Sequence, residues 1–145
     1  MKPEETVDFH LKSTWQSVSR MYNEIASTYG GTMATGYILL NIDPEGTPST
    51  SLGPRMGMEA TSLSRTLKSM EDKELIWREK SSDDKRVVFI HLTKEGKRMR
   101  DLARSTVVEF NKKVFEQIPK EKLMAFFYVS SQINRIIETD FKNKL

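Results

Sequence analysis

The chain has 145 residues, of which 37% are apolar and 30% charged, and its formal net charge at neutral pH is +3. This length suits a single domain with its own core. The absence of cysteine excludes disulfides and thiolate chemistry, and no apolar run approaches the roughly 18 residues that span a membrane. Because the N-terminal segment is polar and acidic, unlike a signal peptide, the composition predicts a cytoplasmic protein.

Both ends of the chain carry amphipathic helical patterns. Residues 4–29 place apolar side chains at steps of three and four, namely Val7, Leu11, Trp15, Val18, Tyr22, Ile25 and Tyr29. Further helices are predicted over 32–42, over 94–117 with Thr93 as its cap, and over 120–142, where Leu123, Phe126, Phe127, Ile133, Ile136, Ile137 and Phe141 should face inward. These faces are larger than the middle of the chain could cover, which predicts a dimer.

The middle of the chain predicts a helix-turn-helix followed by a β-hairpin. The predicted elements are a short helix 49–56, a turn at Gly57, a helix 58–72, and strands over 75–80 and 86–92. A turn-rich segment, 43–50, has room for a short extended piece. The expected fold is mainly α with a small β-hairpin wing: a winged helix-turn-helix DNA-binding lobe plus a helical dimerisation region.

The helix 58–72 has an apolar and a polar face. Ala60, Leu63, Leu67 and Met70 are predicted to face the core, whereas Thr61, Arg65 and Lys68 lie opposite, flanked by Ser62 and Ser64. Arginine can donate two hydrogen bonds to guanine, and hydroxyls can reach phosphates or base edges. The alternative is an ordinary solvated helix face, but the helix-turn-helix arrangement favours DNA binding.

The hairpin tip carries Asp84 two residues before Arg86, and a carboxylate at that spacing can hold the direction of a guanidinium. A basic residue on a projecting β-loop can enter a minor groove. The alternative is a surface ion pair worth about 0–1 kcal/mol. Residues 55–104 hold 13 Lys/Arg against 9 Asp/Glu, so the excess positive charge lies around these elements.

These segments resemble the MarR (multiple antibiotic resistance regulator) family. TSLSRTLKSMEDKELIWRE resembles its recognition helix and first wing strand, DDKRVVFIHLT its D-x-R wing motif, and LTKEG the start of its fifth helix. The resemblance covers nearly the whole chain. It implies a homodimeric winged-helix transcriptional regulator on a pseudo-palindromic operator of double-stranded DNA.

By position, the resemblance assigns Thr61, Ser62, Ser64, Arg65 and Lys68 to the recognition helix and Asp84 and Arg86 to the wing, with Lys85, Arg55 and Ser49 as weaker phosphate-contact candidates. There are three departures from the family, one of which is Gly36 in the second helix, where a bulkier residue is expected. Met58-Glu59 stands where the family often has a Ser or Thr cap, and Glu74 stands where it usually has glycine. Because a non-glycine residue is disfavoured in the left-handed conformation, the helix is expected to end differently here.

The resemblance implies one domain over 1–145, with the DNA-binding lobe at 32–100 and the dimerisation region at 1–30 and 101–145. Many family members bind small, often aromatic or phenolic anions between these regions. No motif locates such a site here. His10, Trp15, Tyr22, Tyr37 and Met33 are available for one, although such residues at helical spacing more often belong to the core.

The sequence contains no motif that indicates a catalytic or metal-binding function. His10 and His91 lack metal-binding spacing, and no nucleotide-binding or nucleophile motif occurs. The sequence therefore predicts no enzyme, no metal and no cofactor. A second hypothesis stays open: a winged-helix protein-interaction module without specific DNA binding, which the small net charge and the acids Glu59, Asp72 and Asp83 favour.

Overall fold

The computed structural model describes residues 1–144, apart from the side chain of Asn143. By its internal contacts the chain divides into two compact units, Met1–Thr106 and Val107–Leu145. The fold is mainly helical with a small antiparallel sheet, so the predicted fold class is confirmed.

The helices are α1 (Val7–Ser27), α2 (Met33–Leu40), α3 (Ser49–Met56), α4 (Ala60–Asp72), α5 (Lys94–Gln117) and α6 (Lys120–Ile136). A 3-10 turn at Pro3–Glu5 precedes α1, whose cap Thr6 accepts a hydrogen bond from the Phe9 N–H at 3.4 Å. The first helix therefore begins later than predicted. The last one gives way at Ile137–Phe141 to a π-helical turn and at Lys142–Lys144 to a 3-10 turn.

The sheet has three strands, β1 (Thr47–Pro48), β2 (Ile76–Lys80) and β3 (Val88–Leu92), in the order β1-β3-β2. The hairpin register pairs Trp77 with His91 and Lys80 with Val88, while Thr47 pairs with Ile90. The extended piece within 43–50 is thus a real third strand. It ties the segment before α3 to the base of the hairpin.

The buried core of the first unit joins α2, α3, α4, the sheet and α5. Its members include Ile38, Leu39, Leu52, Leu63, Leu67, Met70, Ile76, Ile90 and Met99. The prediction that Ala60 faces this core is wrong, because Ala60 is exposed. On α6, Leu123 is buried, but the predicted inward residues Phe126, Phe127, Ile136, Ile137 and Phe141 are exposed within the single chain.

The turn after α4 keeps the left-handed geometry despite its glutamate. Glu74 has φ +57°; its N–H donates to the Glu71 carbonyl and the Leu75 N–H to the Met70 carbonyl, both at 2.9 Å. These two bonds form a Schellman motif. The expectation that the helix ends differently without glycine is therefore wrong.

Glu74→Gly should raise the free energy of unfolding by about 0.5–1 kcal/mol, because glycine adopts the left-handed conformation without a Cβ penalty. Urea unfolding at one protein concentration measures the shift. Lys73→Gly is the matched control: Lys73 has φ −86°, where glycine brings no relief, so this variant should be destabilised. Equal shifts of the same sign in both variants would contradict the conformational explanation.

Candidate nucleic-acid interface

The N-terminal end of α4 stands clear of the core. Residues 59–62, the N-cap of α4 and its first three residues, are all exposed. Behind this end, Gly57 closes α3 in the left-handed conformation with φ +62°, and the Met58 N–H donates to the Gly53 carbonyl at 3.1 Å. A helix that projects by its N-terminus can present that end to the edges of bases.

The five polar residues predicted on α4 all lie at its surface: Thr61, Ser62, Ser64, Arg65 and Lys68 are exposed. Lys68 Nζ lies 2.8 Å from Asp72 Oδ1, and this hydrogen bond is the main reason that the pKa of Lys68 is raised. Arg65 has no hydrogen-bonding or ion-pair partner among the residues the structure describes. Its guanidinium is therefore available to an external acceptor.

The wing tip is organised around Asp84. Its Oδ1 accepts from the Arg86 N–H at 3.0 Å and from Arg86 Nε at 3.2 Å, and its Oδ2 lies 3.4 Å from Nη2. The Arg86 side chain is nevertheless 91% exposed. The predicted pairing is thus present: the carboxylate fixes the direction of a guanidinium whose surface stays open to solvent.

The Arg86 backbone N–H, followed by its side chain, lowers the pKa of Asp84 below the ordinary 3.8. A lowered pKa means that the folded wing binds fewer protons than the unfolded chain. The contribution of this contact is therefore present at pH values above the ordinary pKa and is lost as the pH falls through the lowered one. Asp84 stays ionised across the neutral range and holds Arg86 there.

Arg55 is held by the protein itself. Its Nη1 donates to the Asn41 carbonyl at 3.0 Å and to Asp43 Oδ2 at 3.2 Å. The buried Thr47 hydroxyl donates to the same carboxylate at 3.2 Å. In this structure Arg55 ties α3 to the turn after α2, while Ser49 is the half-buried first residue of α3.

Two contacts at the base of the wing were not predicted from the sequence. Arg78 Nε on β2 lies 3.1 Å from Glu71 Oε2 on α4, which joins the wing to the helix. Trp77 stacks on His91 across the hairpin with a ring separation of 4.3 Å. A correct strand register would have predicted the Trp77–His91 pair, because the register places these two residues opposite each other. No sequence spacing indicates the Glu71–Arg78 pair.

Two of the ligand candidates are in contact with each other. The rings of Tyr22 and Tyr37 meet edge to face at 6.4 Å, and burial raises the pKa of both phenols. His10 Nε2 lies 2.8 Å from the Glu4 carbonyl, and Trp15 is exposed. An open pocket of about 700 Å³ lies elsewhere, lined by α4, β2 and the start of α5, and none of these residues lines it.

Within residues 1–144, no group of three side chains is arranged to hold a metal ion. Over the same described range, no helix is both long and apolar enough to cross a membrane.

Two comparisons with known sequences give the same family. The model of the MarR family matches residues 37–88, from α2 into β3. The HTH-type transcriptional regulator SarZ of Staphylococcus epidermidis is 31% identical over 109 residues, which cover 71% of this chain and 72% of that protein.

Solved structures share the fold at lower identity. The S. aureus MepR–DNA complex has a TM-score of 0.83 and 16% identity and covers 90% of this chain and 97% of its own. CouR from Rhodococcus jostii RHA1 bound to p-coumaroyl-CoA has a TM-score of 0.77 and 22% identity, covering 92% and 94%. At these identities the likeness concerns the fold.

Proposed function

The chain belongs to the MarR family of transcriptional regulators, and on this premise we propose that it binds a pseudo-palindromic DNA operator as a homodimer. The observation that carries the proposal is the pairing of two features on one winged-helix lobe. The N-terminal end of α4 projects with its polar residues exposed, and Asp84 holds an exposed Arg86 at the wing tip.

In the proposed complex α4 enters the major groove. Arg65 donates to guanine O6 and N7, and Thr61, Ser62 and Ser64 contact base edges or phosphates. Lys68 exchanges its contact with Asp72 for a phosphate, since an exposed ion pair of this kind is worth less than about 1 kcal/mol.

The wing supplies the minor-groove contact through Arg86, oriented by Asp84, and Lys85 contacts a neighbouring phosphate. Ser49, at the start of α3, is a second phosphate contact. Arg55 contributes mainly by holding α3 in place through Asp43, since its guanidinium is engaged there.

The homodimer is supported by apolar surface left uncovered in the single chain. Trp15 on α1 is 52% exposed, and residues 126–129 of α6, Phe-Phe-Tyr-Val, are all exposed, with Tyr128 at 65%. Because four consecutive residues span more than a turn, α6 is apolar all round there, which is typical of a helix buried in an assembly. We assign residues 1–30 and 101–145 to this dimerisation region and 32–100 to the DNA-binding lobe.

A small aromatic or anionic ligand is proposed as the releasing signal, with the structure of CouR bound to p-coumaroyl-CoA as a precedent on the same fold. Such a ligand would favour a dimer whose recognition helices are no longer spaced by the roughly 34–36 Å between successive major grooves. A non-enzymatic role is part of this proposal, and the name of SarZ as a transcriptional regulator supports it. As a transcriptional regulator the protein would act in the cytoplasm.

Arg86→Ala should weaken binding to all DNA sequences and lower the salt dependence of log K by about 1.8, since each of the two wings of the dimer loses one phosphate-equivalent contact worth about 0.9. Fluorescence anisotropy over a series of salt concentrations measures both effects. Arg98→Ala is the matched control, because Arg98 is also an exposed arginine paired with a nearby carboxylate, Glu95 at 2.6 Å, but lies outside the wing. Equal behaviour of the two variants would contradict the wing assignment.

Selection from a random DNA library tests the proposed function as a whole. The expected product is an inverted repeat whose half-site centres lie about 10–10.5 base pairs apart, or a multiple of that spacing. Recovery of no consensus sequence would refute the proposal and favour the protein-interaction alternative.

A further inference from the structure

We propose that Glu59 is a specificity-determining residue that accepts a hydrogen bond from the amino group of a cytosine in the operator. The inference rests on the proposed function and adds to it the recognition of one more base pair in each half-site. Each half-site should carry a C·G pair at the position reached by the N-terminal end of α4, in addition to the guanine read by Arg65.

The position of Glu59 is the first observation. Glu59 is the N-cap of α4, with an extended backbone at φ −70° and ψ 148°, and its side chain makes no capping hydrogen bond to the helix. It is exposed, as are the three residues that follow it. The carboxylate is thus uncommitted and sits at the end of the helix that leads into the groove in helix-turn-helix proteins.

Charge gives the second observation. Three other carboxylates around this surface have cationic partners: Asp72 with Lys68 at 2.8 Å, Glu71 with Arg78 at 3.1 Å, and Asp84 with Arg86 at 3.2 Å. Glu59 has no cationic partner in the part of the chain that the structure describes. An unpaired carboxylate next to phosphates opposes binding, and a hydrogen-bond donor on a base edge would offset this repulsion.

The chemistry of the major groove selects that donor. Guanine offers N7 and O6 acceptors there, and thymine offers an O4 acceptor and a methyl group, so both leave a carboxylate without a partner. Adenine has a donor at N6 but an acceptor beside it at N7, which repels the carboxylate. Cytosine offers the N4 amino donor and carries no acceptor of its own on the major-groove edge, and it is therefore the base that fits Glu59.

Glu59→Gln provides the test, since it keeps the side-chain size and removes the charge. Glutamine makes two bonds to adenine N6 and N7, so selection from a random library should replace C by A at one position per half-site and leave the others unchanged. The expected change in preference is roughly 5- to 150-fold, the range of one good base contact. Glu74→Gln, the same charge loss on an exposed residue beyond the other end of α4, should leave the consensus unchanged.

A second measurement isolates the amino group. An operator in which this cytosine is replaced by an analogue without the exocyclic amino group should bind the native protein more weakly, with a smaller loss for Glu59→Gln. If Glu59→Gln instead raises affinity for every sequence equally and shifts no base preference, Glu59 acts as a simple repulsive charge and the inference is wrong. If the native protein itself selects no sequence, the proposed function fails first and this inference with it.

Discussion

Arg65→Ala should remove most of the ability of the protein to distinguish its operator from unrelated DNA. We expect operator affinity to fall by roughly 30- to 25,000-fold, corresponding to about 1–3 kcal/mol for the pair of hydrogen bonds to guanine in each of the two half-sites. Binding to unrelated DNA should fall much less, because it depends on phosphate contacts that remain elsewhere. Arg65 is suited to this role because it is exposed in the middle of α4 and, within the described residues, is not tied to any carboxylate.

Arg65→Lys is the informative companion variant. Lysine keeps the positive charge but replaces the planar guanidinium, which donates two parallel hydrogen bonds, by a point charge. Affinity for unrelated DNA should therefore be retained, while discrimination between operator and unrelated DNA falls. Competition anisotropy with operator and scrambled duplexes measures both quantities. A parallel loss on the two duplexes in Arg65→Ala, or full discrimination in Arg65→Lys, would show that Arg65 contacts phosphate and not a base.

Gly96→Ala should be the most destabilising single substitution considered, at about 3 kcal/mol. A Cβ at Gly96 would overlap the carbonyl oxygen of Leu75, and a backbone atom cannot move aside as a flexible side chain can. The contact belongs to a tight junction in which Thr93 Oγ1 donates to the Glu74 carbonyl at 2.6 Å and accepts from the Gly96 N–H at 3.0 Å. This junction joins the start of α5 to the turn after α4.

Gly36→Ala is the control for Gly96→Ala. A Cβ at Gly36 would lie 3.5 Å from Ala103 Cβ, an ordinary contact, and alanine is the better helix former by about 1 kcal/mol. Gly36→Ala should therefore be neutral or stabilising in denaturant unfolding, while Gly96→Ala unfolds at much lower denaturant. Similar stability of the two variants would contradict the close approach between α5 and the turn after α4.

Local patterns predicted much of the fold because the signals lie close together in the sequence. The bounds of α3 and α5 follow from the turn at Gly57 and the cap at Thr93, and the Asp84–Arg86 pair follows from a spacing of two residues. Periodicity indicates which face of a helix is apolar but not how far along the helix the core extends. The burial predicted for Ala60 is wrong for this reason.

Contacts between residues far apart in the sequence could not be predicted, for a different reason. Arg55 meets Asp43 twelve residues away, and Arg78 meets Glu71 across the turn after α4. Such pairs depend on how the helices and strands pack, which composition and spacing do not encode directly. The phosphate contact of Arg55 therefore stays a prediction, while its ion pair with Asp43 could not be foreseen. The exposed positions of Arg65 and Lys68 could be predicted from the polar face of α4.

The most direct test of sequence-specific DNA binding by this fold is fluorescence anisotropy with the DNA upstream of its own gene and a scrambled duplex of equal length, compared at each of several salt concentrations. The upstream duplex should bind at least about 1,000-fold more tightly than the scrambled one, the lower end for specific regulators, and both affinities should fall as salt rises. Weak binding that is equal for the two duplexes would contradict sequence-specific binding.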